Sequence, residues 1–273
     1  MKDEGSDLYT IKSYVFPQSL EEAYELLTKS PRNNLILGGC CWLKMGSRRI
    51  QTAIDLTRLG LDEIRAADGW VEIGANVSLR RLETDPILKR RFGGILGKSV
   101  SSIVGVQFRN CATVGGSVFS RFGFSDVTCA LLALEATVVL HHAGELPLAD
   151  FMALPIRCDD ILVKVRIPDD GRTAAYESMR RSSTDFPLLA AAVSRRGDAW
   201  TVSVGARPAM ACRSQAAERA LEAGQGAAAA GDAAAAELTF GSNLRGSAAY
   251  RQELARVLVR RAAETCMEGG NGQ

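Results

Sequence analysis

The sequence lacks the features that mark several large classes of protein. No stretch of its 273 residues approaches the roughly 18 apolar residues of a membrane-spanning helix. The start, Met1-Lys2-Asp3-Glu4-Gly5-Ser6-Asp7, has no apolar core of the signal-peptide kind, so no membrane is expected and the expected location is the cytoplasm. Neither sign of charge is in excess, since 33 Lys and Arg against 31 Asp and Glu leave a formal charge of +2. The basic pairs, Arg48-Arg49 and Arg260-Arg261 among them, are dispersed and leave no nucleic-acid footprint. Histidine is nearly missing. The two present, His141 and His142, are adjacent and read as surface residues, and no Ser/His/Asp or Cys/His nucleophile set is suggested. No catalytic side chain therefore stands out. The seven cysteines, Cys40, Cys41, Cys111, Cys129, Cys158, Cys212 and Cys266, include no C-x-x-C spacing. That argues for free thiols in a reducing compartment and against any metal or iron–sulfur site in this chain.

What is present is a core and two glycine pairs. With 47% hydrophobic residues the chain can bury enough surface for two domains, or for one with a sizeable appendage. The run Arg109-Asn110-Cys111-Ala112-Thr113-Val114-Gly115-Gly116-Ser117-Val118, closing at Ser125-Asp126, places one glycine pair between apolar segments. A second run, Leu35-Ile36-Leu37-Gly38-Gly39-Cys40-Cys41-Trp42, repeats the device. Such a pair marks either a bulge or tight bend in a strand, or a place where backbone approaches a ligand. Two of them in one domain suit a clamp on one long phosphate-bearing ligand. Cys40 and Cys41 read as two small side chains in a crowded turn.

The periodicities predict an α+β chain. A strand at Leu8–Phe16, a helix over Pro17–Lys29, a strand at Leu35–Leu37, a helical piece at Cys41–Met45 and a strand at Ala53–Leu56 make a small parallel unit. From residue 61 to 170 the pattern mixes antiparallel strands with short helices: a hairpin turned at Asp68-Gly69, helices opened by Ser78 and Pro86, and an amphipathic stretch at Ile95–Val104. Val114–Val118 reads as a strand or strand end, Asp126 as the cap of a helix over Thr128–Glu135, and Val138–Leu148 as a hairpin around Gly144. Another strand over Ile161–Ile167 stops at Pro168. After Gly171, an antiparallel trio (Thr173–Met179, Leu188–Ser194, Ala199–Gly205) precedes helices at Cys212–Leu221, about Asp232–Glu237 and Ser247–Glu264. The Ala-rich stretch Gly224–Ala236 is a helix or a mobile connector.

Taken together in order, Leu37-Gly38-Gly39, Phe108 through Ser117, Ser125-Asp126, Asp160-Ile161-Leu162 and Arg181-Ser182-Ser183-Thr184-Asp185-Phe186 resemble the FAD-binding medium subunit of the molybdenum hydroxylases. Xanthine dehydrogenase and carbon monoxide dehydrogenase are the familiar members, and the resemblance spans nearly the whole chain. It implies a two-subdomain FAD-binding fold of the vanillyl-alcohol-oxidase (PCMH) type over residues 1–170, with a parallel subdomain at about 1–60 and a mixed one at 61–170. A C-terminal flavoprotein domain over 171–273, a three-stranded antiparallel sheet with helices, would follow. The resemblance also implies roles. Leu35, Ile36, Leu37, Gly38, Gly39, Cys40, Cys41 and Trp42 would offer backbone N–H groups to the FAD pyrophosphate, and Thr113, Val114, Gly115, Gly116 and Ser117 would hold its other side. Ile103 would pack near the flavin ring, Asp126 would contact ribityl or ribose hydroxyls or fix its own segment, and Leu162 would touch the cofactor through its backbone.

The implied activity is electron transfer as one subunit of a heterotrimer. A molybdopterin-binding large subunit would oxidise the substrate, a 2Fe–2S small subunit would relay electrons, and FAD in this chain would pass them to NAD. Four positions depart from the family pattern. Cys40-Cys41 replaces the usual Thr-Asp, Ser117 replaces Asn or Asp, and Glu177 stands where many members carry a Lys near the flavin, which would lower the flavin potential unless Arg180 or Arg181 supplies the charge. Those departures keep open a FAD-less structural subunit. A stand-alone flavin oxidase on the same fold would need a substrate domain larger than the residues after Gly171 offer.

Overall fold

A computed structural model describes residues 9–269. The expected signal-peptide-free start and Leu8, the first residue of the expected first strand, lie outside them. β1 (Thr10–Val15), α1 (Leu20–Lys29), β2 (Asn34–Leu37) and β3 (Arg49–Asp55) form the first layer, an all-parallel sheet in the order β1-β3-β2. Ser19 Oγ accepts the Glu22 N–H at 3.1 Å while the Glu22 carboxylate returns to the Gln18 N–H at 2.6 Å, a reciprocal cap that fixes where α1 begins. The central strand β3 carries Ala53 and Ile54 fully buried, as a strand covered on both faces must.

The second layer contains β4 (Ile64–Ala67), β5 (Trp70–Gly74), α2 (Leu79–Thr84), α3 (Pro86–Lys89), α4 (Ile95–Val100), α5 (Val106–Cys111), α6 (Val114–Phe119), α7 (Asp126–Ala133), β6 (Thr137–Leu140), β7 (Gly144–Pro147), α8 (Leu148–Ala153) and β8 (Leu162–Pro168). Its five strands form an antiparallel sheet in the order β4-β5-β8-β6-β7. The third comprises β9 (Thr173–Arg180), β10 (Pro187–Arg196), β11 (Ala199–Gly205), β12 (Cys212–Arg213), α9 (Gln215–Glu222), α10 (Ala227–Glu237) and α11 (Ala248–Gly269), with sheet order β12-β11-β10-β9.

β10 explains how the second and third layers hold together. Ala190 and Ala192 face the core of the second layer, while Leu189, Ala191 and Val193 face the helices of the third, so the strand is buried on both sides. Its alanines leave room for α7, which is itself buried along its whole length. Arg251 of α11, 1% exposed, donates to the carbonyls of Leu188 and Gly241 and to Asn243 Oδ1, tying the base of β10 to the last helix.

Five expectations require correction. Val114–Val118 is the helix α6, because Thr113 Oγ1 caps the Gly116 N–H at 3.1 Å and only the isolated bridge Ser78–Thr113 remains of the strand pairing. The cap of α7 is Ser125, whose Oγ accepts Thr128 N–H at 3.2 Å, and Asp126 is its first residue. The piece at Cys41–Met45 is a single tight turn, Leu43–Met45. The C-terminal sheet has a fourth strand, since Cys212 and Arg213 pair with β11 before Ser214 caps α9. The Ala-rich stretch is the helix α10, which begins at Ala227, five residues before the expected Asp232. No helix among the described residues is long and apolar enough to cross a membrane.

Candidate functional site

A cleft of about 1000 Å³ runs between the first layer and the second, with the third closing one end. Every residue expected at the site lines it except Val114, which is fully buried in the core beneath α6. The two glycine turns lie side by side in its wall, backbone against backbone.

The glycines serve first to bring the turns together. A Cβ on Gly39 would fall on the Cys111 carbonyl, far inside van der Waals contact, and one on Gly38 would meet Thr113 Oγ1 at 3.1 Å. Side chains at these positions would hold the turns apart. The turns differ in how their donors are used. In the second, Val114 N–H reaches Val77 C=O at 2.9 Å, Gly115 N–H reaches Ala75 C=O at 2.8 Å, and Gly116 N–H is taken by Thr113. In the first, the N–H groups of Gly39, Cys40, Cys41 and Trp42 meet no acceptor among the described residues. Cys40 holds its backbone in the left-handed region, φ 56°, which helps present these donors in one concave run.

The walls are positioned by pairs that the sequence does not announce. Arg109, 6% exposed, forks onto Glu83 at 2.9 and 3.3 Å and donates to the Ile103 carbonyl at 2.9 Å, which fixes Ile103 in the lining. Burial would raise the Glu83 carboxyl, but Arg80 and Arg109 hold it below the usual range. Behind the first turn the Tyr14 hydroxyl donates to Asp55, and burial together with that carboxylate pushes Tyr14 up to about 12. Asp160, 8% exposed, accepts from the N–H groups of His142, Ala143 and Ile161, and so sets the entry of β8 and its first residue Leu162. His142 itself stacks on Tyr24, while His141 lies 3.2 Å from Glu21.

Asp126 is engaged by the third layer. Its Oδ1 accepts from Arg180 at 2.6 Å and from the Tyr176 hydroxyl, both on β9. Burial pushes the Asp126 carboxyl up, against the pull of Arg180 and of the Tyr176 hydroxyl. Glu177 lies outside the cleft lining and pairs with Lys98 at 2.6 Å, so a cation already stands beside it. Burial raises the thiols of Cys40 and Cys41, leaving them neutral near pH 7 and contributing bulk without charge.

Sequence reasoning missed Asn34, Asn76, Phe122 and Phe124, all of which line the cleft. The aromatic pair around Gly123 in a loop was the only available signal. The lining suits a long, partly polar ligand. It is mostly apolar, one turn offers a run of unused N–H donors, and Asn34 Oδ1, Asn76 Nδ2 and Arg180 Nε are buried without partners among the described residues. Among those residues no group of three or more His, Cys, Asp or Glu could hold a metal ion.

The chain is similar to known proteins over nearly its whole length. Residues 9–170 match the family described as the FAD binding domain in molybdopterin dehydrogenase, and residues 174–266 match the CO dehydrogenase flavoprotein C-terminal domain. The carbon monoxide dehydrogenase medium chain of Hydrogenophaga pseudoflava is 30% identical, covering 91% of this chain and 94% of that one. The nicotine 6-hydroxylase medium subunit of Paenarthrobacter nicotinovorans is 28% identical over 94% and 96%. Among solved structures, the carbon monoxide dehydrogenase from Hydrogenophaga pseudoflava that lacks the Mo-pyranopterin moiety superposes with a TM-score of 0.84 at 28% identity, covering 94% of this chain and 98% of that one.

Proposed function

Since this chain belongs to the family of FAD-binding flavoprotein subunits of the molybdenum hydroxylases, we propose that it serves such an enzyme by carrying electrons from a 2Fe–2S small subunit to NAD. A molybdopterin-binding large subunit completes the proposed heterotrimer, which works in the cytoplasm. The chain is an oxidoreductase component, and its own side chains perform no proton transfer in this reading. When bound, FAD supplies the redox chemistry that side chains lack, taking up electrons singly and giving a pair up as hydride.

The observation that carries the reading is the run of four unused backbone donors, Gly39 to Trp42, in the wall of the cleft. A diphosphate needs several convergent donors, and the left-handed backbone of Cys40 helps gather these into one concave run. The replacement of the usual Thr-Asp by Cys40-Cys41 leaves this function intact because neutral thiols add no negative charge beside the phosphates. Gly116, exposed at the start of α6 beside Gly38, allows close approach of the same phosphates. Ile103 and Leu162 present apolar surface, and the wall held by Arg109 and Asp160 keeps both in place and water out. Partner assignments rest on the relatives, whose names describe medium chains and medium subunits.

The test is a visible spectrum of the purified chain after incubation with FAD and gel filtration. The expected result is a retained flavin absorption band that NADH bleaches without air. A chain that retains no flavin is instead the structural subunit, and bound flavin that NADH leaves unreduced points to another acceptor.

A further inference from the structure

Four aromatic rings at the cleft come from three separate parts of the chain. Trp42 ends the first glycine turn, Phe122 and Phe124 lie between α6 and α7, and Phe186 lies in the turn joining β9 to β10. Trp42 meets Phe122, Phe124 and Phe186 at centroid distances of 5.6, 5.3 and 5.7 Å, and Phe124 meets Phe186 at 4.6 Å. No hydrogen bond joins Trp42 to the other three among the described residues. Trp42 is 43% exposed, so the rings meet at the rim and not in the core.

The turn that carries Phe186 is held as one piece, anchored through Arg180 to the buried Asp126 and through Asp185 to Arg245. Arg180 donates to the Asp185 carbonyl at 2.6 Å, the Phe186 N–H donates to Asp185 Oδ1 at 2.8 Å, and the Arg245 guanidinium lies 4.9 Å over the Phe186 ring. At its base the ladder between β9 and β10 slips register between Pro187 and Leu189, and Arg251 holds the Leu188 carbonyl there at 2.9 Å. Contacts between rings are non-directional and part without leaving an unsatisfied donor, unlike the hydrogen bonds that hold the turn internally.

We propose that these rings form a latch over the cofactor cleft, which parts between Trp42 and the anchored β9–β10 turn to admit or release FAD. The proposal rests on FAD occupancy of the cleft. A latch differs from a ligand contact in its kinetic signature: loosening it speeds entry and exit alike and leaves affinity nearly constant, whereas losing a contact speeds exit alone.

The experiment follows flavin fluorescence on stopped-flow mixing of apoprotein with FAD and on dilution of holoprotein, for wild type, Phe186→Ala, Trp42→Ala and the double variant. Phe186→Ala is expected to raise both rates at least fivefold while Kd moves less than threefold. The double variant is expected to be no faster than the faster single one, because one latch can be opened only once. Phe186→Leu, which keeps apolar volume in place of the ring, serves if the alanine variant fails to fold, and it is expected to raise both rates by a smaller factor. Rates within twofold of wild type, faster release with unchanged association, or effects that multiply in the double variant would each overturn the latch. A wild-type chain that takes up no FAD overturns both readings, whereas uptake with unmoved rates overturns the latch alone.

Discussion

The two glycine turns look alike in sequence and do different work. The second is finished internally: its amides are bonded to Val77, Ala75 and Thr113, its following residues form a capped helix, and Arg109 with Glu83 braces the segment before it. The first is unfinished, with four amides in a row that no other described residue uses. One turn is a wall and the other is a hand. The lesson is that a glycine pair names a close approach of backbone without saying to what. At Gly39 the neighbour is the Cys111 backbone, whereas exposed Gly116 faces the cleft.

Gly39→Val should break this arrangement most severely. The added side chain cannot coexist with the Cys111 carbonyl, so a loss of more than about 3 kcal/mol in urea unfolding is expected, together with loss of flavin retention. Arg109→Ala comes next. It strips the brace from the second turn and leaves Glu83 without its buried partner, at a cost of about 3 kcal/mol, and the Ile103 wall loosens. FAD affinity should fall, and a fall in stability with unchanged affinity would show that the brace serves folding alone.

Gly116→Ala separates the two uses of glycine. A Cβ there meets only Thr113 Oγ1 at 3.1 Å, and alanine suits a helix better than glycine, so stability should stay within about 1 kcal/mol of wild type. FAD affinity should nonetheless drop, and equal losses in both would make the second turn purely structural. Glu177→Lys sets a second cation beside Lys98 and should cost about 1 kcal/mol at this part-exposed pair. Because Glu177 lies outside the lining, the flavin potential is expected to move little, and a large rise would restore it as a tuning residue.

The smallest effect is on pH. Glu83, bracing the second turn, and Asp55, behind the first, are both held below their ordinary carboxylate values in the folded chain. Their contribution is therefore complete above the unfolded values near pH 4 and lost as pH falls through the folded ones. Urea midpoints should be level from pH 7 to 5 and decline below about pH 4. The decline should be shallower in Glu83→Gln.

Much of this was legible from residues. The continuous apolar run over residues 188–193 announced the covered strand β10, and Ser19 with Glu22 announced α1. Short motifs with two readings were not. Val114-Gly115-Gly116-Ser117-Val118 alternates like a strand, and only the Thr113 hydroxyl, acting as a cap, turns it into a helix. The partners of Asp126 lie 50 and 54 residues downstream, a separation no local pattern encodes. Asn34 and Asn76 carry no pattern at all, because their role depends on which way a folded wall faces.

The hold of Arg251 on Leu188 bears on how the protein is made. Arg251 belongs to the last described helix, and Leu188 sits at the foot of the turn that carries Phe186. A ribosome delivers α11 after every other described element, so the nascent chain has both glycine turns long before it has a fixed third wall. Cofactor loading thus falls to the finished polypeptide, and a truncation within α11 should yield a flavin-free protein even though every glycine is in place.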